Sequence, residues 1–140
     1  MVLLMAFTTG VVVAGNYYAQ PLLHSISASF DLSYASAGII VTVAQLSYAL
    51  GLVLLVPLGD LFEQRRLMVT LLLLSTSGLF ISALSQNFWM LLLGTSISSS
   101  FSVVAQVIVP FGAALASPSQ RGQVVGTIMS GLLLGILLAR

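Results

Sequence analysis

Long apolar segments alternate with short polar connections along the whole chain. A helix needs about 20 mostly apolar residues to cross the roughly 30 Å hydrocarbon core of a bilayer. Four segments reach that length and a fifth is shorter; they are residues 2–23, 37–58, 67–84, 88–116 and 124–139. The connections are polar, and Gly59, Pro118 and Gly122 stand at helix-breaking positions. The pattern predicts an all-α membrane protein, a helical transmembrane bundle of four full spans and a truncated fifth.

The composition excludes a soluble protein. Only 5% of the 140 residues are charged and 59% are apolar, whereas ordinary soluble domains carry about 25% charged residues. A net charge of +1 offers no basic surface to a nucleic acid. The N-terminal apolar run lacks the basic region of a signal peptide, so we expect residues 2–23 to be a retained span that faces the lipid bilayer.

The chain offers no residues for enzyme chemistry, for a metal or for a cofactor. It contains no cysteine and a single histidine, His24, at the outer end of the first span. A histidine without neighbouring carboxylates forms neither a metal site nor a proton relay, so we expect a hydrated interfacial residue. No acidic residue lies inside a span, and Ser130 has no base within reach. We therefore expect no enzyme activity, no metal and no cofactor.

The arginines indicate the orientation of the chain, because loops rich in arginine and lysine stay in the cytoplasm. Three of the four arginines lie in two connections on one side of the membrane, Arg65 and Arg66 in 59–66 and Arg121 in 117–123. The opposite connections, 24–36 and 85–87, contain neither arginine nor lysine. A cytoplasmic N-terminus follows. Arg140, near the outer end of the fifth span, would need a partner or an aqueous cavity.

Polar side chains recur at helical spacing in three of the five spans. They follow one face of each helix, as Thr9, Asn16 and Gln20 in the first span, Thr42, Gln45 and Tyr48 in the second, and Thr95, Ser99, Ser102 and Gln106 in the fourth. Such groups are costly in hydrocarbon, so these faces turn toward protein or water. We predict a solute cavity lined by Asn16, Tyr17, Gln20, Gln45, Tyr48 and Gln106.

Each of these side chains also has a plainer interpretation. Serine and threonine hydroxyls often bond back to their own helix, and an asparagine or glutamine often joins two helices. Tyr17 is equally consistent with an aromatic belt at the outer surface. The fifth span carries two glycine pairs with four-residue spacing, Gly122 with Gly126 and Gly131 with Gly135, which are typical of close helix packing.

The connection between the second and third spans resembles the signature loop of the major facilitator superfamily. That loop reads roughly G-x-L-A-D-R-x-G-R-R in the family and VPLGDLFEQRR here, and the corresponding residues are Leu58, Gly59, Asp60, Arg65 and Arg66. The chain departs from it at Val56, Leu61 and Gln64, and it has Thr95 and a serine run where many members carry an arginine. Four further segments are similar to a bacterial branch that includes sugar and purine-nucleoside efflux permeases, namely GNYYAQPLL, AQLSYALGLVLLVPLGD, AQVIVP and RGQVVGTIMSGLLLGILLAR.

This resemblance implies a transporter. Family members have about 12 helices in two halves and bind their solute between the halves. The resemblance assigns Gly59, Asp60, Arg65 and Arg66 to a cytoplasmic gate loop, in which the aspartate pairs with basic loop residues and with a helix of the C-terminal half. By resemblance we expect proton-coupled efflux of a small organic solute (a sugar, a nucleoside or a drug-like compound) by alternating access across a bacterial inner membrane. We expect this truncated chain to be inactive without a C-terminal half.

Two other classes of protein are compatible with the same pattern. A small integral membrane interaction protein, or one half of a split transporter, would insert and assemble with another membrane protein through its glycine pairs. A homo-oligomeric channel would instead turn the polar faces toward a symmetric pore.

Overall fold

The computed structural model describes residues 1–139, with Tyr34 described by its backbone alone; Arg140 and its expected partner lie outside the described residues. The described residues form helices and no strands, and five helical segments are long and apolar enough to cross a membrane. We call them spans 1 to 5; they are Val2–Ser29, Ala35–Leu61, Gln64–Ala83, Phe88–Leu115 and Arg121–Leu138. The predicted fold class, a helical membrane bundle, is confirmed.

Span 1 consists of two helices, α1 (Val2–Tyr17) and α2 (Ala19–Ser29), which are separated at Tyr18. Pro21 accounts for the break. It has no N–H to donate to the carbonyl of Tyr17, and in a continuous helix its ring would collide with that carbonyl.

Helix α2 continues to Ser29, past the predicted end of the first span at residue 23. Its residue Ile26 packs on a buried apolar cluster around Ile40 of the next span, which favours the extra helical turns. The helix ends in a Schellman motif, in which Asp31 has a positive φ of 51° and the N–H of Leu32 closes the turn with a 2.9 Å hydrogen bond. Glycine usually occupies such a position, so an aspartate in a polar run gave no clear stop signal.

Spans 2 and 3 begin earlier than predicted, because α3 (Tyr34–Leu55) starts at 34 rather than 37 and α4 (Gln64–Ala83) at 64 rather than 67. Ser33 caps α3, and its side chain accepts a 3.1 Å hydrogen bond from the N–H of Ser36. After α3 the chain tightens into a 3-10 turn, Val56–Asp60, that contains a proline at its start.

Span 4 is interrupted where the sequence predicted one segment over 88–116. It comprises α5 (Phe88–Phe101) and α6 (Val104–Leu115), and the intervening turn carries a 2.8 Å hydrogen bond from the N–H of Gln106 to the carbonyl of Val103. That bond has the tighter i→i+3 spacing of a 3-10 helix. Helix α7 (Arg121–Leu138) forms span 5.

Helix α6 lies at the centre of the bundle. Its residues Val104, Val107 and Ile108 form the main buried apolar cluster with one residue from α4 and one from α7. Because lipid is as apolar as these side chains, association of the helices depends on close packing and on hydrogen bonds between them.

Glycines bring the backbones of α1 and α7 into contact. A Cβ atom on Gly10 would lie 2.6 Å from the carbonyl oxygen of Gly131, and Gly135 packs directly on the carbonyl of Gly10. A Cβ atom on Gly122 or Gly126, in contrast, would meet no atom of another helix within 4 Å. Of the two predicted glycine pairs, only Gly131 with Gly135 forms a helix–helix contact.

A matched pair of alanine substitutions on α7 tests this crossing. Gly135→Ala should destabilise the protein by roughly 1–3 kcal/mol, because the added methyl group overlaps the backbone of α1. Gly126→Ala should stabilise it by about 0.5–1 kcal/mol, because alanine is the better helix former and meets open space. Unfolding in detergent micelles, followed by circular dichroism, measures both changes. Shifts of the same sign and size would contradict the described contact.

Candidate functional site

A cleft of about 100 Å³ lies where spans 1, 2, 4 and 5 meet. Its lining comprises Val13, Asn16 and Tyr17 from α1, Gln45 and Tyr48 from α3, Ser102 and Gln106 from span 4, and Leu132 and Ile136 from α7. The structure thus brings together five of the six residues predicted to line a cavity. Gln20 is the exception.

Gln20 lies beyond the turn at Tyr18 and does not line the cleft. The spacing that grouped Asn16 with Gln20 presupposes one continuous helix, whereas Asn16 belongs to α1 and Gln20 to α2. Tyr17, at the end of α1, lines the cleft together with Asn16. The interpretation of Tyr17 as part of an outer aromatic belt therefore loses support.

One hydrogen bond crosses the cleft. The amide Nε2 of Gln106 donates to the hydroxyl oxygen of Tyr48 over 3.2 Å and thereby joins span 4 to span 2. On the side formed by α1, the Oδ1 atom of Asn16 is buried and has no hydrogen-bond partner among residues 1–139. The cleft therefore contains one linked pair of polar side chains and one buried acceptor that is not linked.

The plainer interpretation, a hydroxyl that bonds back to its own helix, holds for Ser102 of span 4. The hydroxyl of Ser102 donates to the carbonyl of Ser98 over 2.8 Å, and the hydroxyl of Ser75 on α4 donates to the same carbonyl over 3.1 Å. Thr95 and Ser99 are buried in the bundle and do not line the cleft. The hydroxyl of Ser75 thus joins α4 to span 4, and of the predicted polar face only Ser102 and Gln106 reach the cleft.

Sequence reasoning missed the serine of α4 that bonds to span 4 and the two residues of α7 that line the cleft. Ser75 belongs to a buried face of α4 that also contains Gly78 and Ser82, and this recurrence of small residues at helical spacing is a signal that could have revealed it. Leu132 and Ile136 carried no signal, because an apolar residue facing a cleft looks the same in sequence as one facing lipid.

The residues of the predicted gate loop lie at one end of the bundle. Gly59 and Asp60 end the 3-10 turn, and Arg65 and Arg66 belong to the first turn of α4. Arg66 pairs through Nε with Oε2 of Glu63 at 2.8 Å. Asp60 is exposed and forms no ion pair within residues 1–139.

The structure pairs Arg66 locally with Glu63, and the expected pairing of Asp60 with the loop arginines stays a prediction. Glu63 precedes Arg66 by three positions, so the two side chains meet on the same helical turn. Both side chains are largely exposed, at 60% and 86%, and such a pair contributes about 0–1 kcal/mol.

A bundle of several membrane-crossing helices with a polar cleft between them defines a multi-pass membrane protein. Residues 5–140 match the sequence model of the Major Facilitator Superfamily, and the chain belongs to that family. Members of the family are transporters and not enzymes, so the resemblance to this family and the expectation of no enzyme are confirmed.

Curated relatives are named as transporters too. The chain is 61% identical over its full length to the Uncharacterized transporter YgaY of Escherichia coli O157:H7, of which it covers 36%. Over 98% of its length it is 35% identical to a Streptomyces coelicolor protein named as a probable transporter, covering 32% of that protein. A probable sugar efflux transporter of Helicobacter pylori is 28% identical over 84% of the chain, which covers 30% of that relative. No solved structure matches the chain.

The chain spans about a third of the length of these relatives.

A double-mutant cycle measures the contact between Gln106 and Tyr48. Gln106→Leu and Tyr48→Phe should couple by about 0.6 kcal/mol in unfolding free energy, the average for side-chain hydrogen bonds between membrane helices. Unfolding in bicelles provides the measurement. Tyr17→Phe serves as the matched control, since no hydrogen bond joins Tyr17 to Gln106. Equal coupling in both cycles would show that the change arises from altered packing.

Proposed function

We propose that the chain forms the N-terminal part of a transporter that exports a small organic solute, such as a sugar, a nucleoside or a drug-like compound, by alternating access. The observation that carries the proposal is the polar cleft between spans 1, 2, 4 and 5, in which amide and phenol groups from three spans converge. Because the chain belongs to a family of transporters, we assign a role in transport to that cleft. The name of the Helicobacter pylori relative, a probable sugar efflux transporter, supports export and a small solute.

We further propose that these residues by themselves do not transport. Pockets that enclose small molecules typically measure about 300–1,000 Å³, whereas the cleft measures about 100 Å³. Gln45 and Gln106 line it while exposed. The cleft thus resembles one wall of a site, and a C-terminal half would supply the opposite wall and the body against which these helices rock.

Proton coupling is the finer part of the proposal. All acidic residues of this chain lie outside the apolar interior of the spans, as Asp31, Asp60 and Glu63. A carboxylate that binds and releases the coupling proton would therefore belong to the C-terminal half. This assignment separates the roles of the two halves, with solute contacts here and the proton site in the partner half.

The gate-loop proposal rests on the position of Asp60. It is exposed at the cytoplasmic end of span 2 in the proposed orientation, immediately before the turn that leads to Arg65 and Arg66. Because Glu63 already engages Arg66, Asp60 can pair with a group of the C-terminal half. Such a contact would hold the cytoplasmic side closed in the outward-facing state.

Transport by everted membrane vesicles tests the function. The vesicles contain either the 140-residue chain or a fusion of it to the part of the Escherichia coli relative with which it does not align. The fusion should accumulate a solute from a labelled panel of sugars, nucleosides and dyes, a protonophore should abolish accumulation, and the chain alone should be inactive. In the fusion, Asp60→Asn should lower the rate about tenfold, the effect of losing about 1.4 kcal/mol.

Blotting of the same vesicles controls for the amount of protein in the membrane. Accumulation by the purified 140-residue chain would refute the proposal that it is inactive alone. An inactive fusion present at normal level would argue against transport.

We propose that the chain lies in a bacterial inner membrane with its N-terminus in the cytoplasm. The chain contains no cysteine, so single cysteines report topology without background. A membrane-impermeant maleimide should label Ser29→Cys from outside intact spheroplasts, and Ser119→Cys only in everted vesicles. The opposite labelling pattern would reverse the orientation.

A second candidate function is that of a small membrane protein that assembles with another membrane protein. An apolar groove between α1 and α7, lined among others by Leu3, Phe7 and Leu134, favours this alternative. A 140-residue chain that persists in wild-type membranes and crosslinks to another membrane protein would support it. If the chain is instead detected in membranes only when the major membrane protease is absent, the result would favour its being one part of a larger transporter.

A further inference from the structure

The polar groups that line the cleft carry no charge. They are three side-chain amides, two phenols and one hydroxyl, contributed by Asn16, Gln45, Gln106, Tyr17, Tyr48 and Ser102. The charged side chains among residues 1–139 lie in the connections and at helix ends. A charged group moved out of water needs an opposite charge and full hydrogen bonding, whereas amides and hydroxyls suffice for a neutral polar group. The lining therefore matches an uncharged solute.

Asn16 differs from the other polar residues that are buried without a partner. The described residues with such atoms are Thr9, Asn16, Tyr18, Ser82, Thr95 and Ser98. Of these, Asn16 alone lines the cleft. A buried carbonyl oxygen without a donor is costly, so the Oδ1 atom of Asn16 is the acceptor that gains most when a solute presents an O–H or N–H.

Helix α3 presents the complementary group. The hydroxyl oxygen of Tyr48 accepts from Gln106, so its own O–H remains able to donate. The rings of Tyr17 and Tyr48 add apolar faces on which a ring-shaped solute can pack. An acceptor on α1, a donor on α3 and two aromatic faces together suit a ring that carries several hydroxyl groups.

We infer that the cleft selects an uncharged, polyhydroxylated ring compound, and that Asn16 determines this specificity by accepting a hydrogen bond from the solute. The shared chemistry occurs in free sugars and in the ribose of nucleosides. The inference rests on the proposed function, because it names the substrate class of the same site.

Equilibrium binding to the purified fusion protein in detergent tests the inference separately from transport. The labelled probes form matched pairs that differ in charge, glucose with glucosamine and uridine with uridine monophosphate. At least one neutral probe should bind, and its charged counterpart should bind at least about tenfold more weakly, since the wall that these helices form offers its charge no partner. The two pairs distinguish a free sugar from a nucleoside.

Two variants of Asn16 and a control complete the experiment. Asn16→Leu should raise the Kd of the neutral probe about tenfold, as expected when a buried hydrogen bond is lost. Asn16→Asp, which keeps the shape and adds a negative charge, should shift the preference from glucose to glucosamine and serves if the leucine variant does not fold. Gln86→Leu, in the exposed connection between spans 3 and 4, should leave the Kd unchanged.

Three results would overturn the inference: equal or tighter binding of a charged probe, an unchanged Kd in a folded Asn16→Leu variant, or no binding of any probe. If the fusion transports another solute while no neutral ring binds, the inference fails and the proposed function stands. If the fusion neither binds nor transports, both fail.

Discussion

The backbone contact between α1 and α7 is the constraint on which the cleft depends. Gly10, Gly131 and Gly135 allow the two helices to approach until one backbone touches the other. Leu132 and Ile136 lie next to these glycines on α7 and close one side of the cleft, opposite residues of α3. A side chain at the crossing would separate the helices and remove that side of the cleft. In lipid, helix contact gains nothing from the hydrophobic effect, so the close backbone packing that small residues allow holds the helices together.

The two interrupted spans contribute most of the polar lining. Span 1 breaks at Tyr18, directly after Asn16 and Tyr17, and span 4 breaks at Ser102 and Val103, just before Gln106. Irregular backbone inside a membrane is tolerated only where it is buried in protein or lines a hydrated cavity. The coincidence of both breaks with the cleft follows from that rule. In span 1, Gln20 lies beyond the break and outside the cleft, whereas in span 4 both Ser102 and Gln106 line it.

Serine hydroxyls join helices inside the bundle, whereas glutamine amides line the cleft. The hydroxyls of Ser75 and Ser102 both lie within hydrogen-bond distance of the Ser98 carbonyl, which joins α4 to span 4 inside the bundle. The amides of Gln45 and Gln106 lie at the exposed edge of the cleft. A short hydroxyl side chain can reach a neighbouring backbone, whereas a long amide needs space and partners that a tightly packed helix interface does not offer. The two kinds of residue are thereby sorted by size as well as polarity.

The sequence by itself determined the fold class, the five spans and most of the residues of the cleft, because apolar length and helical spacing are local properties that the bilayer enforces. Asn16, Gln45 and Gln106 stood out because an amide in hydrocarbon costs free energy unless protein or water surrounds it. Only the tertiary structure decided that Gln20 lies outside the cleft, that Glu63 rather than Asp60 engages Arg66, and that Gly135 but not Gly126 meets another helix. Each of these outcomes depends on which helix face meets which neighbour, and on where a helix breaks. Apolar residues such as Leu132 acquire a role only from that arrangement, since no local signal distinguishes a wall of a cleft from a surface in lipid.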